Sequence, residues 1–144
     1  MGLLNEHAVL LDVEIKDAID VIRLSGDLLV KAGLATETYT EAMIEGYKKV
    51  GPYIVIAPGI AIPHSRPENG AIKSGFSLVR LKNPIEFGHD KNDPVKLVCA
   101  ITGVGNNGHI EMLQKIAVIL GDSEKYEQIV HANDFNEISK IITI

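Results

Sequence analysis

Apolar and polar positions along the chain follow two periods, and the switches between them mark out helices and strands. Ala8 to Val13 reads as a short strand. Asp17 is placed to cap a helix reaching about Ala32. Ala18, Val21, Ile22, Ser25, Leu28 and Leu29 recur on one face of it, and Gly33 lies just past its end. Thr38-x-x-Glu41 has capping-box spacing. Tyr39, Met43, Tyr47 and Val50 follow near helical period, and Gly51-Pro52 stops that second helix.

Tyr53 to Ile62 is apolar and β-branched, which predicts a strand bent or bulged at Pro58-Gly59. Ser74 to Leu81 and Val95 to Ile101 are two further strands, with turns at Asn83-Pro84 and Asn92-Asp93-Pro94 between them. Gly103 to Gly108 is a loop. A helix follows with Ile110, Leu113, Ala117 and Leu120 as its stripe and Gly121 at its end. Asp122 or Ser123 caps the next helix. Asn133 caps a last one through Phe135, Ile138 and Ile142. Interspersed helices and strands that are apolar on both faces indicate an α/β fold, a sheet covered by helices on both sides. No repeat or linker divides the chain, so a single domain over 1–144 is expected.

Composition narrows the function classes. The chain has 144 residues, 46% of them hydrophobic, enough to build a core and against disorder. Its longest apolar stretch, Tyr53 to Pro63, is too short to cross a bilayer and is broken by Pro58 and Gly59. The start, Met1 to Glu6, lacks a basic segment and an apolar one, which speaks against a signal peptide. Glu6 stands where myristoylation requires Ser or Thr. No direct membrane insertion is expected. The net charge is −5 and no basic run tracks a phosphate backbone, so nucleic acid is not an expected partner. The single cysteine, Cys99, lies in an apolar run and reads as a buried core thiol, suited to a reducing cytoplasm.

Five histidines are present: His7, His64, His89, His109 and His131. None pairs at ligand spacing on a helix, and no Cys-x-x-Cys or His-Glu-x-x-His occurs, so no metal site is expected. Phosphate-binding glycine loops and a serine elbow are also absent. The segment that stands out is Ala57-Pro58-Gly59-Ile60-Ala61-Ile62-Pro63-His64-Ser65-Arg66-Pro67-Glu68. An apolar run ends there in a polar segment bracketed by prolines. Pro63 and Pro67 fix their own φ and restrict the residues before them, so the backbone around His64 is stiff. A stiff boundary holds a reactive group at low entropic cost, although a surface histidine after a strand needs no function.

The run from Gly51 to Glu68 resembles the active-site segment of the type-2 enzyme IIA family. These are the mannitol, fructose and ascorbate type components of the bacterial phosphoenolpyruvate-dependent sugar phosphotransferase system. The resemblance extends from about Leu4 to Ile142. It takes in the Asp17-Ala18-Ile19 helix start, Tyr39-x-x-x-Met43, Phe87-Gly88-His89 before Asn92-Asp93-Pro94-Val95, and His109 before Leu113. It implies a mixed sheet of about five strands with helices on both faces. It implies that His64 accepts a phosphoryl group from the phosphocarrier protein HPr and donates it to a cysteine of enzyme IIB, with the membrane enzyme IIC engaged only indirectly. It implies that His109 is the second active-site histidine. A regulatory module, whose phosphorylation state controls a partner protein, is the alternative on the same fold.

The chemistry asked of those residues is definite. A histidine nucleophile must be neutral, and at an ordinary pKa near 6.5 about three quarters of it is so at pH 7. One tautomer must be selected by a hydrogen bond from the other ring nitrogen. A phosphohistidine keeps a high transfer potential, so no cofactor is called for. Donors must balance the charge on three phosphoryl oxygens. His109 falls in the first turn of its predicted helix, where free N–H groups favour an anion. Arg66 contacts phosphate or a partner's acidic rim, or is simply solvated; Ser65 offers a hydroxyl. His89 reads as structural in its turn, with a minor site role left open by the family segment Phe87-Gly88-His89, and Glu68 and Glu111 as solvated or as orienting a histidine. The mannitol and fructose branches tend to carry Arg-Glu after the second helix. Here Tyr47-Lys48-Lys49-Val50 stands in that place, so Lys48 or Lys49 is the replacement cation. The wording Pro52-Tyr53-Ile54-Val55-Ile56-Ala57-Pro58-Gly59 and His64-Ser65-Arg66-Pro67-Glu68 is closer to the ascorbate branch. Ile60 and Ile62, or nearby loops, are candidates for an apolar rim around His64.

Overall fold

The structure, a computed structural model, describes residues 5–143. Residues 1–4, which carry most of the chain start read above, and residue 144 lie outside them. Among the described residues, seven strands and five α-helices follow in the order β1 (Val9–Val13), α1 (Ala18–Lys31), α2 (Glu37–Val50), β2 (Val55–Ala57), β3 (Ile60–Ala61), β4 (Gly75–Phe76), β5 (Leu78–Ile85), β6 (Val95–Val98), β7 (Ile101–Thr102), α3 (Gly108–Gly121), α4 (Ser123–His131) and α5 (Phe135–Ile141).

Five strands form one sheet in the order β1-β5-β6-β3-β2. β1 runs parallel to β5 and β3 parallel to β6, while β5–β6 and β2–β3 are antiparallel, so the sheet is mixed. β4 and β7 make a separate antiparallel pair. Side chains alternate across the sheet as a pleat requires. Ala61, Val79 and Val98 join the core under α1 and α2. Ile60, Ile62, Leu78, Leu97 and Cys99 join the core under α3, α4 and α5. Helices therefore cover both faces, as the pattern predicted. Cys99 is fully buried, and burial pushes its thiol up, away from the thiolate form.

Local chemistry explains most of the boundaries. The Asp17 carboxylate accepts the Asp20 N–H at 3.3 Å and starts α1; the Asp122 carboxylate accepts the Lys125 N–H at 3.0 Å and starts α4. α2 begins at Glu37, with Thr36 as the capping residue, not at Thr38. The Thr36 N–H is taken by the Gly70 carbonyl at 2.9 Å, which fixes the chain where it enters the helix. α5 is capped by Asp134, which accepts from the Glu137 N–H at 3.0 Å; Asn133, the expected cap, gives its own N–H to the Glu137 carboxylate at 2.9 Å.

Three strand expectations are corrected. Tyr53 to Ile62 is not one bent strand but the β2–β3 hairpin, turning at Pro58-Gly59, where Gly59 adopts a positive φ of 77°. Ser74 to Leu81 and Val95 to Ile101 each divide in two, because the chain leaves the main sheet to build β4–β7. Asn83-Pro84 lies inside β5 instead of turning it. The β5–β6 register shifts between Arg80 and Ile85, and the exposed Pro84 sits at that irregularity, where no ladder donor is required.

Two stripe positions point outward. Val50 is 70% and Ile110 44% exposed. α2 buries Tyr39, Thr40, Met43 and Ile44, and its last turn passes beyond the core. α3 buries Met112, Ile116, Ile119 and Leu120, which sets Ile110 outside that face.

Candidate functional site

The hairpin strand β3 delivers His64 to the end of the sheet. Ile62 and Pro63 are buried, and His64 is the first residue of the segment to meet solvent, half-buried. Its Nδ1 lies 2.8 Å from the Ile62 carbonyl oxygen. That oxygen has no proton to give, so Nδ1 carries the hydrogen and donates it. The neutral ring then has its lone pair on Nε2. Burial holds the imidazole below the ordinary histidine range; the Ile62 bond opposes this, and the charge of His109 adds to the depression. Both buried surroundings and tautomer therefore favour a neutral, nucleophilic ring.

His109 enters from the other side, on the first turn of α3. The loop before it closes tightly. Asn107 adopts a positive φ of 63°, and a Cβ on Gly103 would collide with the backbone of Gly108 and His109. Glycine at 103 thus lets the helix start press against the end of β7.

His64 and His109 line one open cleft of about 780 Å³, together with Lys49, Ser65 and Arg66. The sequence-predicted residues are therefore brought together. Lys48 does not line the cleft; it faces Glu45 at 3.9 Å on the surface. Among the described residues, Lys49 and Arg66 make no ion pair; Glu45, the acidic residue in the lining, pairs with Lys48 instead. Glu68 and Glu111 are exposed and do not line it.

Three neighbours were not singled out by sequence. The Tyr53 ring stands edge-on to His64, with centroids 5.8 Å apart and planes at 82°. The Asn69 amide donates to the Ser65 Oγ at 2.9 Å. Tyr39, fully buried, accepts the Ser65 N–H on its hydroxyl at 3.1 Å. Tyr53 falls within a strand pattern and Tyr39 within a helix stripe, and Asn69 carries no periodic signal at all. The apolar rim is also reassigned. Ile60 and Ile62 are buried under α3, α4 and α5; Val50, Tyr53 and Ile110 are the exposed apolar residues at the cleft.

His89 lies in the loop before β6. Its Nδ1 accepts the N–H groups of Lys91 at 3.2 Å and Asn92 at 3.1 Å. The Asp93 carboxylate gathers the N–H groups of Phe87, Gly88 and His89 in the same loop. Both side chains serve the turn.

Residues 2–144 match the family described as "Phosphoenolpyruvate-dependent sugar phosphotransferase system, EIIA 2". The chain is 37% identical over 142 residues to the ascorbate-specific PTS system EIIA component of Escherichia coli K12, covering 98% of this chain and 92% of that protein. Its fold matches the solution structure of the mannitol-specific cryptic phosphotransferase enzyme IIA CmtB of Escherichia coli, with a TM-score of 0.84 and 31% identity over 99% of this chain and 98% of that one. It also matches the complex of Escherichia coli enzyme IIA mannitol with phosphorylated enzyme IIB mannitol, with a TM-score of 0.83 and 25% identity over 96% of each chain. Among the described residues no helix is long and apolar enough to cross a membrane.

Proposed function

Since the chain belongs to the EIIA type 2 family of the phosphoenolpyruvate-dependent sugar phosphotransferase system, we propose that His64 is its phosphoryl acceptor and that Nε2 is the atom that reacts. The observation that carries this reading is the 2.8 Å bond from Nδ1–H to the Ile62 carbonyl, which leaves Nε2 as the only ring nitrogen with a free lone pair.

Nε2 attacks the phosphorus of phospho-HPr. The N–P bond to Nε2 forms as the donor's bond to phosphorus breaks. The ring then holds both a proton and a phosphoryl group, and its positive charge rests against the Ile62 carbonyl. In the second step a cysteine thiolate of enzyme IIB takes the phosphorus. The S–P bond forms, the N–P bond breaks, and His64 returns to its neutral tautomer. His109 is the donor to the phosphoryl oxygens, with Ser65, Arg66 and Lys49 as further donors and point charges around the cleft. In-line transfer needs charge balance and positioning more than covalent help, and the cleft offers both.

HPr and enzyme IIB use the same opening in turn, so each interface is small and transient. Val50, Tyr53 and Ile110 give it an apolar rim, and Lys49 and Arg66 give it positive charge. The chain works in the cytoplasm as one IIA domain and meets enzyme IIC only through IIB. The carbohydrate is L-ascorbate, on the strength of the 37% identity to the ascorbate-specific component.

The test is incubation with phosphoenolpyruvate, enzyme I and HPr, followed by assay for acid-labile phosphate. The wild-type chain becomes labelled and His64→Ala does not. Full labelling of His64→Ala would remove the proposal.

A further inference from the structure

β3 and β6 run parallel, and their ladder continues past the strand ends toward His64. The Cys99 N–H donates to the Ala61 carbonyl at 2.9 Å, and the Ile101 N–H donates to the Pro63 carbonyl at 3.0 Å. In a parallel ladder the next rung takes the Ser65 N–H to the Ile101 carbonyl. That rung is not direct. The Tyr39 hydroxyl lies in it, accepting the Ser65 N–H at 3.1 Å and donating to the Ile101 carbonyl at 2.6 Å. The same hydroxyl is farther, 3.3 Å, from the Ser65 carbonyl, so its single proton belongs to Ile101. Tyr39 is fully buried, and burial pushes its phenol up to about 12, so it stays a neutral donor and acceptor.

An inserted oxygen parts two chains that would otherwise close on each other. The residue at the parting, between the Pro63 and Ser65 rungs, is His64. The Ile101 end of the splice leads through Thr102 to Gly103, whose backbone presses on His109. One hydroxyl thus ties α2 to both histidine-bearing segments. We propose that Tyr39 is a positioning residue for phosphoryl transfer. Its hydroxyl splices the last rung of the sheet, turns the His64 ring into the cleft and sets it against the His109 segment. This rests on the reading of His64 as the phosphoryl acceptor.

Tyr39→Phe removes the splice and leaves the ring in the core. The Ser65 N–H and Ile101 carbonyl are then free to close into an ordinary rung, which keeps the fold and swings His64. Misplacement of a reacting group by about 1 Å costs on the order of 100-fold in rate. The expected result is a transfer rate from phospho-HPr about 10- to 100-fold lower. KM for phospho-HPr should stay within about twofold, because the buried phenol touches no partner. The imidazole 15N signals of His64 should shift with loss of the Ile62 bond. Ser77→Ala is the control. It deletes a buried hydroxyl bonded to the Ser25 carbonyl at 2.9 Å, away from the cleft, and should leave the rate unchanged.

A wild-type chain that takes no phosphate on His64 removes the phosphoacceptor reading itself. Wild type labelled on His64, with Tyr39→Phe transferring at an unchanged rate or with Ser77→Ala equally slow, overturns the positioning role alone. If Tyr39→Phe does not fold, wild type still decides. The Tyr39 hydroxyl proton should be a slowly exchanging resonance that moves when His64 is phosphorylated. A fast-exchanging proton, or one indifferent to phosphorylation, overturns the role.

Discussion

His64 and His89 both sit in proline-flanked segments beside the same sheet, and their rings are wired in opposite senses. At His64 the Nδ1 faces a carbonyl and must donate, so the lone pair is presented at Nε2. At His89 the Nδ1 faces the N–H groups of Lys91 and Asn92 and must accept, so its lone pair is spent on the turn. The neutral His89 ring then has its hydrogen on Nε2 and nothing to attack with. Nucleophilic capacity in a histidine is set by which kind of backbone group the folded chain aims at one nitrogen, and burial tunes it afterwards.

The largest way to sharpen that contrast is His109, which lines the same cleft as His64, a cleft that His89 does not line. Removing one preorganised donor from a charged transition state costs about 100- to 1000-fold. His109→Ala should lower the rate of phosphoryl transfer to enzyme IIB by about 100-fold while His64 can still be labelled slowly. Rapid-quench kinetics reads this, and a rate within a factor of three of wild type would count against His109 as a donor.

The next effect is on pH dependence. Burial disfavours the charged His64 ring, so its folded pKa lies below the ordinary 6.5. As pH falls, the ring therefore stays neutral to a lower pH than a free histidine does. The acid limb of phosphate acceptance, and the His64 titration followed by NMR, should both have midpoints below 6.5. A midpoint at or above that value contradicts the burial argument. The smallest effect is at the other ring. His89→Leu strands two N–H groups in a partly exposed loop and should cost about 1 kcal/mol in denaturant unfolding. Phosphoryl transfer by the same variant should stay within about twofold, and a larger loss would erase the distinction between the two histidines.

Much of this was legible in the residues. Asp17 and Asp122 announced α1 and α4 because a capping carboxylate acts within three positions of itself. His64 was legible because two prolines and an apolar run converge on it, and His109, Ser65, Arg66 and Lys49 do meet it at one cleft. The hairpin at Pro58-Gly59 was not, since that dipeptide suits a bend in one strand as well as a turn between two. Val50 and Ile110 were misplaced because periodicity records apolar character and not whether another element arrives to cover it. The splice by Tyr39 was beyond reach: its partners lie 26 and 62 residues away in sequence, and only the closed fold brings them to one oxygen.

The sealed thiol has a consequence of another kind. Phosphorus moves readily between nitrogen and a sulfur anion, so a carrier with an accessible sulfur near its loaded ring would risk discharging into itself. This chain has one cysteine, Cys99, shut inside the sheet and held as the protonated thiol. On the reading of His64 as the phosphoryl acceptor, that internal route is shut, and the sulfur that collects the phosphoryl group belongs to another molecule.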